Sequence, residues 1–233
     1  MNRSLKRMIP LQSPRQRSTN HMVKFADDTT QVGLITKNDE THYRKEINLL
    51  TTWCRDHNLL LNVSKTKEMV VDFRKSLTEH PPLTIDGAAV ERVSSTKFLG
   101  VHISEDLSWA TNSASLVKKA QRRLYFLRKL KKARAPIPIL KTFYQGTIES
   151  ILSSCITVWG SSCTAHSRKR LQRIFNTAGK IIGAPLPSVQ DTYTTRLTRK
   201  ATSIVSDTSH PAHGLFSLLP SGKRYGSLRC RTT

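Results

Sequence analysis

Two neighbouring aspartates set between short apolar runs constrain this chain more than any other stretch. In Val23-Lys24-Phe25-Ala26-Asp27-Asp28-Thr29-Thr30-Gln31-Val32-Gly33-Leu34-Ile35 the flanks suit paired strands and the middle suits a turn. The pattern predicts a β-hairpin with Asp27 and Asp28 at or beside its corner. Adjacent carboxylates repel one another, and a divalent cation held through oxygen ligands removes the conflict. Magnesium commonly takes one or two carboxylates plus substrate phosphates, and two-metal sites of this kind serve in-line phosphoryl transfer. A solvated Asp-Asp turn is the plain alternative, because Asp favours turns by itself.

Charge is the next constraint. Residues 1–106 hold 16 Lys+Arg against 13 Asp+Glu, whereas residues 107–233 hold 22 against three: Glu149, Asp191 and Asp207. Nearly all of the formal net charge of +22 therefore lies in the second half. Such a field attracts polyanions, and phosphate contacts dominate nucleic-acid affinity. A membrane is not the expected partner, since no apolar run approaches the roughly 18 residues needed to span one. The first 24 residues lack the apolar core of a signal peptide. The expectation is an intracellular protein, nuclear or cytoplasmic. Cys54, Cys155, Cys163 and Cys230 show no C-x-x-C spacing, which points to reduced thiols rather than zinc ligands.

Read in order, residues 1–17 form a basic, disordered lead-in. Asn38 is an expected N-cap for a helix whose apolar face is Tyr43, Ile47, Leu50 and Cys54, widened by Trp53 and ending at His57-Asn58. Lys65 falls in a polar turn between Leu59–Val63 and a strand-like Met69–Phe73. Leu83–Glu91 reads as a hairpin with Asp86-Gly87 at its turn. Lys97–Ile103 reads as a further strand, its Gly100 marking either a close approach or a bulge.

From Asn112 or Ser113 onward the chain turns helical. Val117, Ala120, Leu124 and Leu127 make one apolar stripe, and Lys118, Lys119, Arg122, Arg123, Arg128, Lys129, Lys131 and Lys132 crowd the remainder. Ordinary surface helices mix both signs, so this face suits a phosphate backbone. Pro136 and Pro138 start a second helix with Leu140, Phe143, Tyr144, Ile148, Ile151 and Leu152 inside. Ser153–Cys163 reads as a connection. Ser167–Ile182 is a third helix, with Arg168, Lys169, Arg170 and Arg173 repeating the basic pattern. A short helix is expected over Val189–Val205, within a weakly structured extension from 187 to 233.

Several of these stretches resemble a known family. Phe25-Ala26-Asp27-Asp28 looks like the aromatic-x-Asp-Asp box of reverse transcriptases. Leu59-Leu60-Leu61-Asn62-Val63-Ser64-Lys65-Thr66-Lys67 and Phe98-Leu99-Gly100-Val101 are similar to later boxes of LINE-type (non-LTR) retrotransposon enzymes. The resemblance implies an α+β fold: a partial polymerase palm over 18–106, with antiparallel strands and one packed helix, then an all-α, thumb-like domain over 107–186. It implies that Asp27 and Asp28 hold Mg²⁺, that Lys65 assists catalysis, and that Phe98, Leu99 and Gly100 seat a primer. Lys118, Lys119, Arg122, Arg123, Lys129, Lys132, Arg168, Lys169 and Arg170 would clamp an RNA/DNA hybrid. The family's further metal-binding aspartate lies upstream of the hairpin, yet no Asp or Glu occurs in residues 1–24. The metal site is thus incomplete, and the chain alone is expected not to polymerise.

Residues of about 94–163 also resemble the N-terminal domain family of the alkylated-DNA-repair AlkB homologue 8 proteins. That resemblance implies a dioxygenase or methyltransferase setting, which the residues do not support. An Fe(II) triad needs two His and a carboxylate, and no His here is followed two positions later by Asp or Glu. No glycine-rich loop follows a strand.

Overall fold

The computed structural model describes residues 20–74 and 80–226. The expected lead-in over 1–17 lies outside them. The fold is mixed α+β, built from small sheets and helices. Two compact units part between Val93 and Ser94. The boundary therefore lies earlier than a palm ending at 106.

In the first unit, β1 (Asn20–Phe25) and β2 (Asp28–Gly33) form the expected antiparallel hairpin, Phe25 pairing with Asp28. Ala26 takes the left-handed conformation, with φ of 55°. The base of the hairpin is anchored on α1 (Thr41–Asp56), where Gln31 Nε2 donates to Glu46 Oε2 at 2.7 Å. Gly33 is needed there, because a Cβ would lie 2.5 Å from the Tyr43 ring. Further out, Met22, Val23, Phe25 and Val32 are exposed.

Asn38 does not cap α1. Lys37 and Asn38 both adopt positive φ, and the cap position is Glu40. Asp39 takes the capping task instead, its Oδ1 accepting from Thr41 N at 2.9 Å. The buried face of α1 carries Ile47, Thr51 and Cys54, and Ile47 packs in a core with Leu83, Ile85 and Val90.

The remaining strands of this unit are two residues long: β3 (Lys67–Glu68), β4 (Thr84–Ile85), β5 (Ala88–Ala89) and β6 (Glu91–Arg92). β4 and β5 close on Asp86 and Gly87, both at positive φ, as a two-residue Asp-Gly turn requires. β3 pairs with β6 in parallel. Met69–Phe73 is not a strand. Its apolar, β-branched run suited one, but a strand also needs a partner ladder, and the pairing of β3 with β6 stops at Glu68. These strands make separate two-stranded pairs, not one palm-like sheet.

The second unit opens with β7 (Ser95–Phe98) and β8 (Val101–Ser104), an antiparallel hairpin. One continuous strand over Lys97–Ile103 is thereby corrected. Leu99 and Gly100 have φ of 45° and 91° and form the turn between two strands. Then come α2 (Ala110–Lys132), α3 (Ile137–Tyr144), a π turn over Gln145–Glu149, α4 (Ser150–Ser153), α5 (Ile156–Trp159), α6 (Ala165–Ile182) and α7 (Val189–Ser206).

α2 begins before Asn112 and Ser113, which are buried inside it rather than capping it. Asn112 Oδ1 accepts from His102 N at 3.3 Å, fixing the β7–β8 hairpin to the helix. The stripe Val117, Ala120, Leu124 and Leu127 is at most 3% exposed, so the apolar spacing read the buried face correctly. The π turn also has a reason in the sequence. Leu140, Tyr144, Ile148 and Leu152 recur every four residues and are all buried. That spacing drifts about 40° per step around an ideal α-helix, and one wider turn returns the stripe to the core.

Ser153–Cys163 is more than a connection. Within it, α5 buries Ile156 and Trp159, and Trp159 Nε1 donates to Ser154 O at 2.9 Å. Beyond 187 the helix expected over Val189–Val205 forms, as α7. α7 opens with a Ser188–Asp191 capping box and buries Val189, Thr192 and Ile204.

Candidate nucleic-acid interface

α2 and α6 run parallel along each other. Near their N-termini Ser113 Oγ lies 3.6 Å from Cys163 Sγ, and at their C-termini Lys131 Nζ donates to Ile182 O at 3.5 Å. Thr164 caps α6 by accepting from Ser167 N, and Gly183 ends it with φ of 82°. Their seam buries Leu116, Val117, Leu124, Leu171 and Ile174. Burying one face of each helix turns the other outward. Lys118, Lys119, Arg122, Arg123, Lys129 and Lys132 of α2 are all exposed, as are Arg168, Lys169 and Arg170 of α6.

Beside the seam a groove of about 420 Å³ opens between the two helices. Its rim carries Gln121 and Arg128 from α2 and Arg170, Arg173 and Thr177 from α6. The buried Val117, Leu124 and Ile174 also line it. Arg128 and Arg173 were legible in the sequence as charge, but not as partners across a groove. Their facing depends on which helices pair, and helical periodicity does not report that.

What makes this surface distinctive is the absence of counter-charge. Among the described residues every ion pair joins residues at or before Arg92. Three of the five carboxylates in the second unit are engaged locally, and the other two, Glu105 and Glu149, join no ion pair among the described residues. Hydrogen bonds from the Ser104 side chain and from Ser108 lower the Asp106 carboxyl. The Ser188 side chain does the same for Asp191, and Ser209 for Asp207. These acids hold turns and a helix cap, leaving the helical cations uncompensated.

The other expected site residues are placed differently. Asp27 lies in the β1–β2 turn and Asp28 at the start of β2, both exposed. Lys65 sits on a turn built by Asn62, whose Oδ1 accepts from Lys65 N at 3.1 Å, and its side chain is exposed. Among the described residues no ion pair joins Lys65 to either aspartate, and no group of three or more His, Cys, Asp or Glu is arranged to hold a metal ion. Asp27 and Asp28 stand as an exposed adjacent pair, with no third acidic group gathered beside them among the described residues. Phe98, Leu99 and Gly100 form the β7–β8 corner, Phe98 partly buried and the other two exposed. Cys54, Cys155 and Cys163 are free thiols, and Cys230 lies outside the described residues.

Fold and surface together define a small α+β protein whose helical unit presents an uncompensated basic face. Residues 109–150 match the family described as alkylated DNA repair protein alkB homolog 8, N-terminal. The match runs from the residue before α2, through α3 and the π turn, to the start of α4. It contains no His, no Cys and one carboxylate, Glu149. No curated protein and no solved structure matches the chain. Among the described residues no helix is long and apolar enough to cross a membrane.

Proposed function

We propose that this chain is a non-catalytic nucleic-acid-binding module, related through α2 and α3 to the N-terminal region of the AlkB homologue 8 proteins. The observation that carries the reading is the contrast in ion pairing. Cations on α2 and α6 stand on an ordered scaffold without carboxylate partners, so contact with phosphate costs no existing salt bridge. Each phosphate neutralised releases condensed counterions, which gives binding its salt dependence. Dioxygenase chemistry is not assigned, because the matched segment offers no two-His-one-carboxylate set.

The test is fluorescence anisotropy with labelled DNA and RNA across a salt series. Binding should weaken steeply with salt and survive Asp27→Ala combined with Asp28→Ala. Binding that ignores salt, or disappears with the two aspartates, would defeat the reading.

Descent from a retrotransposon reverse transcriptase is a second reading. Its support is the Asp27-Asp28 corner on a strand pair, together with the resembling boxes in order. It requires no activity of this chain alone. Template-dependent primer extension by this chain in Mg²⁺ or Mn²⁺, abolished by Asp27→Ala, would overturn the non-catalytic assignment.

A further inference from the structure

We propose that the α2–α6 face takes single-stranded rather than duplex nucleic acid, with a base stacked on Tyr125 and the adjoining phosphate in the groove on Arg128, Arg170 and Arg173. The inference rests on the nucleic-acid reading and narrows it. Tyr125 and Phe126 are 53% and 50% exposed, in the middle of the basic face of α2. The two rings meet edge to face at 5.5 Å, and Lys129 Nζ stands 5.4 Å from the centre of the Tyr125 ring.

The helical neighbours of Tyr125 at three and four residues are Gln121, Arg122, Arg128 and Lys129. Two of them, Gln121 and Arg128, also line the groove. The ring therefore borders the groove, with three cations around it. A duplex offers this surface only its sugar-phosphate exterior, against which an exposed ring gains little. A single strand offers an unpaired base for the ring and, at the adjoining phosphate, an anion for the guanidinium groups. Every base has a face that stacks on an aromatic side chain, so such a platform is tolerant of sequence. Arginine adds planar, bidentate recognition of phosphate. A groove of about 420 Å³ suits a phosphate with its sugar and does not admit a double helix.

The experiment uses the full chain and fluorescein-labelled oligothymidylate of about 15 nucleotides, beside a duplex of equal length. The single strand should bind about tenfold tighter or better. Tyr125→Ala should weaken single-strand binding about tenfold while leaving duplex binding nearly unchanged, and Tyr125→Phe should retain the affinity. Arg170→Gln combined with Arg173→Gln should lower the salt slope for the single strand by about 0.7, the share of the one phosphate seated in the groove. Tyr125 is on the surface, so the helical circular dichroism of the variants should match that of the parent. Equal or tighter duplex binding, or an equal loss on both probes in Tyr125→Ala, overturns this inference and leaves the nucleic-acid reading standing. Failure to bind either probe overturns both.

Discussion

In the first unit Arg44 meets Glu40, Arg55 meets Asp86 and Arg92 meets Glu68, whereas in the second Arg122, Arg123 and Arg170 meet no carboxylate among the described residues. The two units also differ in what is buried. The core of the first is Ile47, Leu83, Ile85 and Val90, edged by Tyr43, Leu61 and Val63. The second buries a continuous cluster from Leu116 to Val189, Trp159 and Phe175 included. A small core leaves more of the holding together to polar ties between segments. A large one can hold helices in place despite the mutual repulsion of their cations. Uncompensated charge that the core can carry is free for a ligand.

This contrast can be sharpened by changing one unit at a time. Trp159→Ala removes a side chain only 1% exposed together with its hydrogen bond to Ser154. It should cost about 3–5 kcal/mol, seen as faster hydrogen exchange in α2 and α6 peptides with those of α1 unchanged. Gly33→Ala does the reverse. Its Cβ must displace the Tyr43 ring, costing about 1–3 kcal/mol by overpacking, with exchange rising in β1, β2 and α1. Ser188→Ala removes the α7 capping box and should cost about 1 kcal/mol, read as fraying of the first turn of that helix.

The smallest effect is one of pH. Burial acts to raise the Glu40 carboxyl, but the hydrogen bonds from Arg44 and His80 outweigh it and hold the group below its ordinary 4.5. A carboxyl lowered on folding stabilises the fold above its unfolded value, and that contribution is lost as pH falls through the folded one. Protection of α1 against exchange, taken relative to the intrinsic rate at each pH, should therefore fall below about pH 4.5, and Glu40→Gln should make that part of the profile shallower.

How legible each unit was in the sequence follows from which interactions are local. The stripe of α2, the end of α6 at Gly183 and the Asp86-Gly87 turn are set by residues within a few positions of one another, and each was readable. The β1–β2 corner was readable for the same reason. What escaped depends on partners distant in the chain. Leu99-Gly100 sits in an apolar run that reads as one strand until the pairing of Phe98 with Val101 shows a hairpin. Asn112 looks like a cap until His102 is found donating to it. Arg128 and Arg173 look like scattered charge until α2 and α6 lie side by side. The candidate site was thus half visible: its cations were in the sequence, its groove was not.

The central claim is that the second unit's cations serve a ligand and not the fold. The direct test replaces Lys118, Arg122 and Lys129 together by Gln, following both thermal unfolding and the dependence of nucleic-acid affinity on salt. The account predicts an unfolding midpoint unchanged or slightly raised, because repulsion is relieved, and a salt slope lower by about three. A variant that binds with the parent's slope, or that unfolds markedly earlier, would contradict it.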